Sequence, residues 1–138
     1  IDAFLALPHL QNVITDSHFM PRERLGRLIG WVARLRAQTG NSALIGIGVD
    51  ETTALAVEAD GQARVLTGDA GKVWLVQPAH AASVLVLGQP LSIEGVRVTG
   101  LDSNRRYHLP SGKVDAASDE WTAAVDTGTL SLEVHAKD

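Results

Sequence analysis

Hydrophobic positions keep a helical period in one segment of this chain and a strand-like period in nearly all the rest. Between Pro21 and Gln38, Leu25, Leu28, Ile29, Val32 and Leu35 recur at i, i+3, i+4, i+7 and i+10. That spacing predicts an amphipathic helix opening at Pro21, a residue suited to the first helical position. Ahead of it, Asn12 to Thr15 reads as a short strand running into the polar loop Asp16-Ser17-His18-Phe19. Behind it, a turn at Gly40-Asn41 leads to Ser42 to Val49, a near-continuous apolar run of the kind found in a buried strand, ending at Asp50-Glu51. Ala54 to Ala59, Ala63 to Thr67 and Lys72 to Gln77 are strand-like, with hairpins predicted at Asp60-Gly61 and at Gly68 to Gly71. From Pro78 onward no long helix is predicted. Val84 to Leu87 and Leu91 to Leu101 read as strands among turn-rich segments, and Leu130 to Val134 alternates as a last strand with one wet face. There is no internal repeat, and residues 79–82 offer a seam.

Composition narrows the class. The 138 residues, 45% hydrophobic and 20% charged, suit one globular unit, and no apolar run reaches the roughly 20 residues of a membrane helix. With no cysteine, disulfides, thiol nucleophiles and thiolate metal sites are excluded, while the compartment stays open.

The net charge of -4 argues against general nucleic-acid binding, yet five of the 12 basic residues lie between Arg22 and Arg36 against a single acid, Glu23. On a helix from Pro21, three arginines would occupy the first two turns, with Arg24, Arg27, Trp31 and Arg34 on one flank and Arg22 on the other. Cations at a helix start oppose the macrodipole, so stability alone would favour Asp or Glu there. With the free N–H groups of the helix opening, the pattern suits an anion such as a carboxylate, against the plainer reading of a solvated charged face.

His18 is the strongest single candidate for chemistry, because it follows a strand end and precedes this helix. Asp50-Glu51 supply carboxylates at the end of another buried strand, and a carboxylate that orients an imidazole is two-thirds of a nucleophile–base–acid triad. The nucleophile is the missing part. Ser17 adjoins His18, but adjacent side chains of extended backbone point to opposite faces. Gly40-Asn41-Ser42-Ala43 begins like a nucleophile elbow, but it precedes a strand and has Leu44 where a second glycine is needed. His9, His18, His80, His108 and His135 are scattered without metal-ligand spacing, and Gly46-x-Gly48 lies inside a strand rather than opening a helix. Neither a metal nor a nucleotide cofactor is therefore expected.

Taken together, three blocks resemble a family. Thr15-Asp16-Ser17-His18-Phe19, then Arg22 with Arg24-Leu25-Gly26-Arg27-Leu28, then Gly46-Ile47-Gly48-Val49-Asp50-Glu51-Thr52-Thr53-Ala54 are similar to the D-Q-H-F, R-x-R-x-x-R-L and G-I-G-I-D-E-x-T-A blocks of cyanophycinases. These are serine peptidases grouped with the aspartyl dipeptidases called peptidase E. Weaker similarity extends to Gly71 to Val76 and Leu91 to Val98. The resemblance implies an α/β fold, the C-terminal half of a three-layer α/β/α sandwich related to class I glutamine amidotransferases. Residues 1–78 would complete the catalytic core, and 79–138 would form a β-rich extension packed on it.

By motif position, the resemblance makes His18 the general base and Glu51 the acid of a Ser–His–Glu triad, with Asp16, Ser17, Arg22, Arg24 and Arg27 bordering a β-aspartyl (isoaspartyl) peptide substrate. In cyanophycinases that substrate is cyanophycin, released as β-aspartyl-arginine dipeptides. Three departures accompany the match. The family's G-x-S-A-G-A elbow lies upstream of the histidine and is not in this sequence. Ser17 stands where Gln is usual. The stretch from Arg27 to Glu51 is longer than usual, with a bulge expected near Arg34 to Asn41. The implied partner is a second chain carrying the N-terminal half, or a homo-oligomer such as a dimer. The alternative is a non-catalytic module that binds acidic peptides at the arginine-flanked helix start.

Overall fold

The computed structural model describes residues 7–135. Expectations that touch Ile1, or the last three positions of 79–138, lie outside the described residues. The chain is α/β and strand-rich, with one α-helix among the described residues. β1 (Val13–Ser17), α1 (Leu25–Thr39) and β2 (Ile45–Val49) form a parallel βαβ unit, registered from Val13 opposite Ile45 to Ser17 opposite Val49. β3 (Thr53–Val57) and β4 (Gln62–Thr67) form an antiparallel hairpin about Gly61, as predicted. There follow β5 (Val73–Pro78), β6 (Ile93–Leu101), β7 (Arg106–His108), β8 (Lys113–Val114), β9 (Asp119–Asp126) and β10 (Thr129–Val134). A six-stranded sheet has the order β1-β2-β5-β6-β9-β10, and a four-stranded sheet the order β3-β4-β7-β8. Segments 1–78 and 79–138 both contribute strands to each sheet.

The second predicted hairpin, at Gly68 to Gly71, is not formed: β4 lies in the small sheet, whereas β5 pairs with β2 and β6 in the large one. Burial explains the separation. β4 alternates exposed and buried residues and so has one covered face, whereas Val73, Trp74, Leu75 and Val76 are all buried and require cover on both sides. Trp74 and Val76 face α1 together with Phe19, Leu28, Ile29 and Val32. Val73 and Leu75 face the small sheet, with Ile47, Val65, Leu101 and Tyr107. The large sheet is thus held between the helix and the four-stranded sheet.

Two glycines let the helix side approach β2. A Cβ at Gly46 would meet Leu28 at 2.8 Å, and one at Gly48 would overlap the ring of Phe19, which is wholly buried. Burying that ring contributes about 1.5–3 kcal/mol and anchors the turn between β1 and α1.

The helix opens later than its periodicity predicts. Pro21 instead belongs to a 3-10 turn at Met20–Arg22, closed by Glu23 in a left-handed conformation whose N–H donates to the Met20 carbonyl. α1 therefore starts at Leu25 with Arg24 as its cap residue, so only Arg27 of the three arginines lies in the first helical turn. Arg34 to Thr39 simply continues the helix to a Gly40 cap at φ 68°, in place of the expected bulge. There Arg36 donates to the carbonyls of Leu44 at 2.7 Å and Pro78 at 2.6 Å, which fastens the helix end to the sheet.

Two further strand expectations are corrected. In Val84 to Leu87 only Val84 makes a bridge, to Ser92, because Gly88 and Pro90 turn the chain before a ladder can form. β10 is exposed along its whole length rather than on one face, since β9 is its single neighbour and it lies beyond the cover of α1.

Candidate active site

β1 and β2 run parallel and adjacent, so the residues that follow their C-terminal ends meet at one rim of the sheet. Open α/β folds place their chemistry at such rims. His18 follows β1, and Glu51 lies just past β2. The two are 33 positions apart in sequence, and His18 Nδ1 lies 2.9 Å from Glu51 Oε1. An ionised carboxylate only accepts, so Nδ1 carries the proton and the lone pair resides on Nε2. Nε2 makes no hydrogen bond among the described residues, and the His18 side chain is 54% exposed. Hydrogen bonding from His18, then from Arg22 Nε at 3.3 Å, holds the Glu51 carboxyl below its ordinary value.

Backbone strain aims this pair. His18 has φ 50°, and Thr52, beside Glu51, has φ 53°. Left-handed backbone costs non-glycine residues roughly 1–2 kcal/mol, and for a β-branched residue it is a true outlier. Such conformations persist where surrounding contacts over-determine them. Here Phe19 N–H donates to the Val49 carbonyl at 3.2 Å and Met20 N–H to Asp50 Oδ1 at 2.9 Å, pinning the β1 turn to the end of β2.

The adjacent carboxylates therefore divide their work. Asp50 accepts from Met20 N–H, Lys72 N–H at 3.1 Å and the Trp74 indole at 3.1 Å, and so ties the rim together. Glu51 faces the histidine. Trp74 has no signal in the sequence for this role, because its partner is 24 positions away.

The arginine cluster is real, but Arg22, Arg24 and Arg27 each already face a carboxylate. Asp16, buried on β1, receives Arg27 Nε at 3.0 Å and Arg27 Nη2 at 2.6 Å, with Arg24 Nη1 at 3.7 Å. Arg24 also donates to the Ser17 carbonyl at 2.8 Å, and the Arg27 guanidinium stacks 4.7 Å from the centre of the Trp31 ring. Ser17 contributes its backbone, donating its N–H to Asp16 Oδ1 at 2.9 Å. Three guanidinium groups meet the carboxylates of Asp16 and Glu51, and Asp50 adds a third carboxylate, so these groups balance in charge at the rim. A groove of about 450 Å³ lined by Thr15, Asp16, Ser17, Trp31, Val49 and Leu55 follows β1, and neither His18 nor Glu51 lines it.

Structure thus brings all seven candidate residues, Asp16, Ser17, His18, Arg22, Arg24, Arg27 and Glu51, to one rim. Among the described residues no hydroxyl bonds to His18 Nε2, and no group of three or more acidic or histidine side chains is placed to hold a metal.

Fold and site together define an α/β chain that carries an oriented, open-faced histidine at the ends of adjacent parallel strands. In sequence the chain is similar to cyanophycinases. It is 33% identical over 113 residues to the cyanophycinase of Trichormus variabilis, covering 79% of this chain and 35% of that protein. Against the cyanophycinases of Synechococcus elongatus and Thermosynechococcus vestitus it is 33% identical over 118 residues, 83% of this chain and 34% of each. It therefore spans about a third of the length of these relatives. No protein-family model matches it.

Proposed function

We propose that this chain supplies the base, the acid and the binding rim of a cyanophycinase-like serine hydrolase acting on β-aspartyl peptide bonds. The observation that carries the reading is the 2.9 Å contact from His18 Nδ1 to Glu51, which leaves Nε2 unengaged on an exposed side chain. In this reading Nε2 removes the proton of a serine hydroxyl as its Oγ adds to the scissile carbonyl, then returns that proton to the departing amine. Water hydrolyses the acyl intermediate by the same proton route. Glu51 stays ionised, holds the ring in its Nδ1–H tautomer and stabilises the imidazolium.

The serine comes from polypeptide outside these 138 residues, either another segment of the same protein or a second chain. It completes the three-layer sandwich that the resemblance implies. Arg22, Arg24 and Arg27 offer guanidinium donors to a carboxylate of the acidic substrate, with Asp16 fixing the orientation of Arg24 and Arg27.

The test is native purification followed by intact-mass analysis and assay with cyanophycin. The reading expects a polypeptide carrying a G-x-S-x-G turn together with residues 12–57, and release of β-aspartyl-arginine. Acidic-peptide binding with no serine within reach of His18 and no hydrolysis would overturn it in favour of the binding-module alternative.

A further inference from the structure

Thr52 occupies a left-handed backbone conformation, at φ 53°, that β-branched residues rarely adopt, and a loop distant in sequence holds it there. Its hydroxyl donates to Asp69 Oδ2 at 2.7 Å, and its carbonyl accepts the Gly68 N–H at 3.2 Å. The other oxygen of Asp69 accepts the Thr67 hydroxyl at 3.0 Å and the Gly71 N–H at 2.8 Å. On the far side of the same turn, the Thr53 hydroxyl donates to the Glu51 carbonyl at 2.9 Å and lies 3.1 Å from the Thr67 hydroxyl. Thr52 and Thr53 are thus tied directly to the 67–71 loop, and Glu51 is linked to it through the Thr53 hydroxyl. Gly71 permits the close approach, since a Cβ there would overlap the Thr53 hydroxyl oxygen.

None of these bonds goes to the Glu51 carboxylate, whose partners are His18 and Arg22. The loop can influence the pair only through the backbone that carries Glu51. A hydroxyl bond to an ionised carboxylate is stronger than one between neutral groups, which suits it to hold a strained turn. We propose that Asp69 is a positioning residue for the candidate pair: by holding the Thr52 hydroxyl it fixes the left-handed turn that presents Glu51 to His18. The inference rests on reading His18 and Glu51 as base and acid. It also gives the segment Gly68 to Gly71, predicted as a hairpin turn, a different task. Consistent with this task, the Thr52 hydroxyl first, then the Gly71 N–H and the Thr67 hydroxyl, keep the Asp69 carboxyl ionised below its ordinary range.

The experiment is 15N NMR of the His18 imidazole in the intact chain, at a pH where the ring is neutral, with the signal assigned through His18→Ala. Wild type should show the Nδ1–H tautomer, and Glu51→Ala should lose it. Asp69→Ala and the near-isosteric Thr52→Val should each lose the Nδ1–H majority in the same direction. Asp69→Asn keeps an acceptor for the Thr52 hydroxyl and should retain it. Unfolding of Asp69→Ala would leave Thr52→Val, which removes only the hydroxyl, to decide. Wild-type 15N shifts in Thr52→Val, with Glu51→Ala altered, would overturn the positioning role while leaving the pair intact. Wild-type shifts in Glu51→Ala as well would overturn the pair itself.

Discussion

The two ends of the six-stranded sheet use the same uncommon backbone state for opposite purposes. At the β9–β10 end, Thr127 and Gly128 have φ 47° and 81°, as a two-residue hairpin demands, and the turn serves only to reverse the chain. At the β1–β2 end, His18 and Thr52 are left-handed without any hairpin to require it, and both flank a histidine–carboxylate contact. The rim that costs backbone energy is also densely cross-linked by Asp16, Asp50 and Asp69, whereas β10 is exposed throughout. Strain that no hairpin requires, held by long-range polar bonds, sets this rim apart from the β9–β10 end.

Substitutions can break that contrast. The largest effect should come from Gly48→Ala, whose new methyl overlaps the Phe19 ring. A loss of about 3 kcal/mol in chemical denaturation is expected, because neither the wholly buried ring nor the strand has room to move. Gly26→Ala, with open space around its Cβ, serves as the control and should be neutral or stabilising. Next comes Asp50→Ala, which strands the Met20 and Lys72 N–H groups and the Trp74 indole and should cost roughly 2 kcal/mol or more. Glu51→Ala, one residue along but solvent-facing, should leave the denaturation midpoint nearly unchanged. Equal losses at the two positions would erase the division between a structural and a working carboxylate.

A smaller effect, of opposite sign, is expected at His18. His18→Gly relieves a left-handed residue and should raise stability by about 1 kcal/mol while removing the imidazole. A destabilised variant would show that the histidine is held for packing. Smallest of all is the pH effect on Glu51. Its folded pKa is lowered, chiefly by the His18 hydrogen bond and then by Arg22, so its stabilising contribution is complete above the unfolded-state value. That contribution is lost only as pH falls through the lower folded value. Carboxyl 13C titration should show Glu51 ionised below the ordinary value of 4.5, with His18→Ala moving it back up.

Much of this rim was legible in the sequence, and the reasons are local. Leu25, Leu28, Ile29, Val32 and Leu35 carry a helical period strong enough to place α1 on the sheet; the first four are buried as predicted, while Leu35 is only half-buried. The resemblance of the residues around His18 and Glu51 drew attention to the two ends of adjacent strands. The start of α1 was misread because Pro21 suits a 3-10 turn as well as an α-helix, and the left-handed Glu23 that separates the two has no local signature. Charge counting also left the arginines without partners. The acid that engages Arg27 is Asp16, on β1, and only the packing of α1 against that strand brings them together. The roles of Asp50 and Asp69 depend on pairings 17 to 30 positions apart, which periodicity does not encode.

The most direct test of the proposed hydrolase is the turnover of His18→Ala in an assembly that also brings a serine within reach of His18. With cyanophycin as substrate, kcat/KM should fall by about a thousandfold or more while the melting profile stays that of a folded protein, because removing the base takes away both proton transfers. Unchanged kcat/KM in a folded His18→Ala variant would contradict the assignment of this histidine, and with it the account of the rim as a catalytic site.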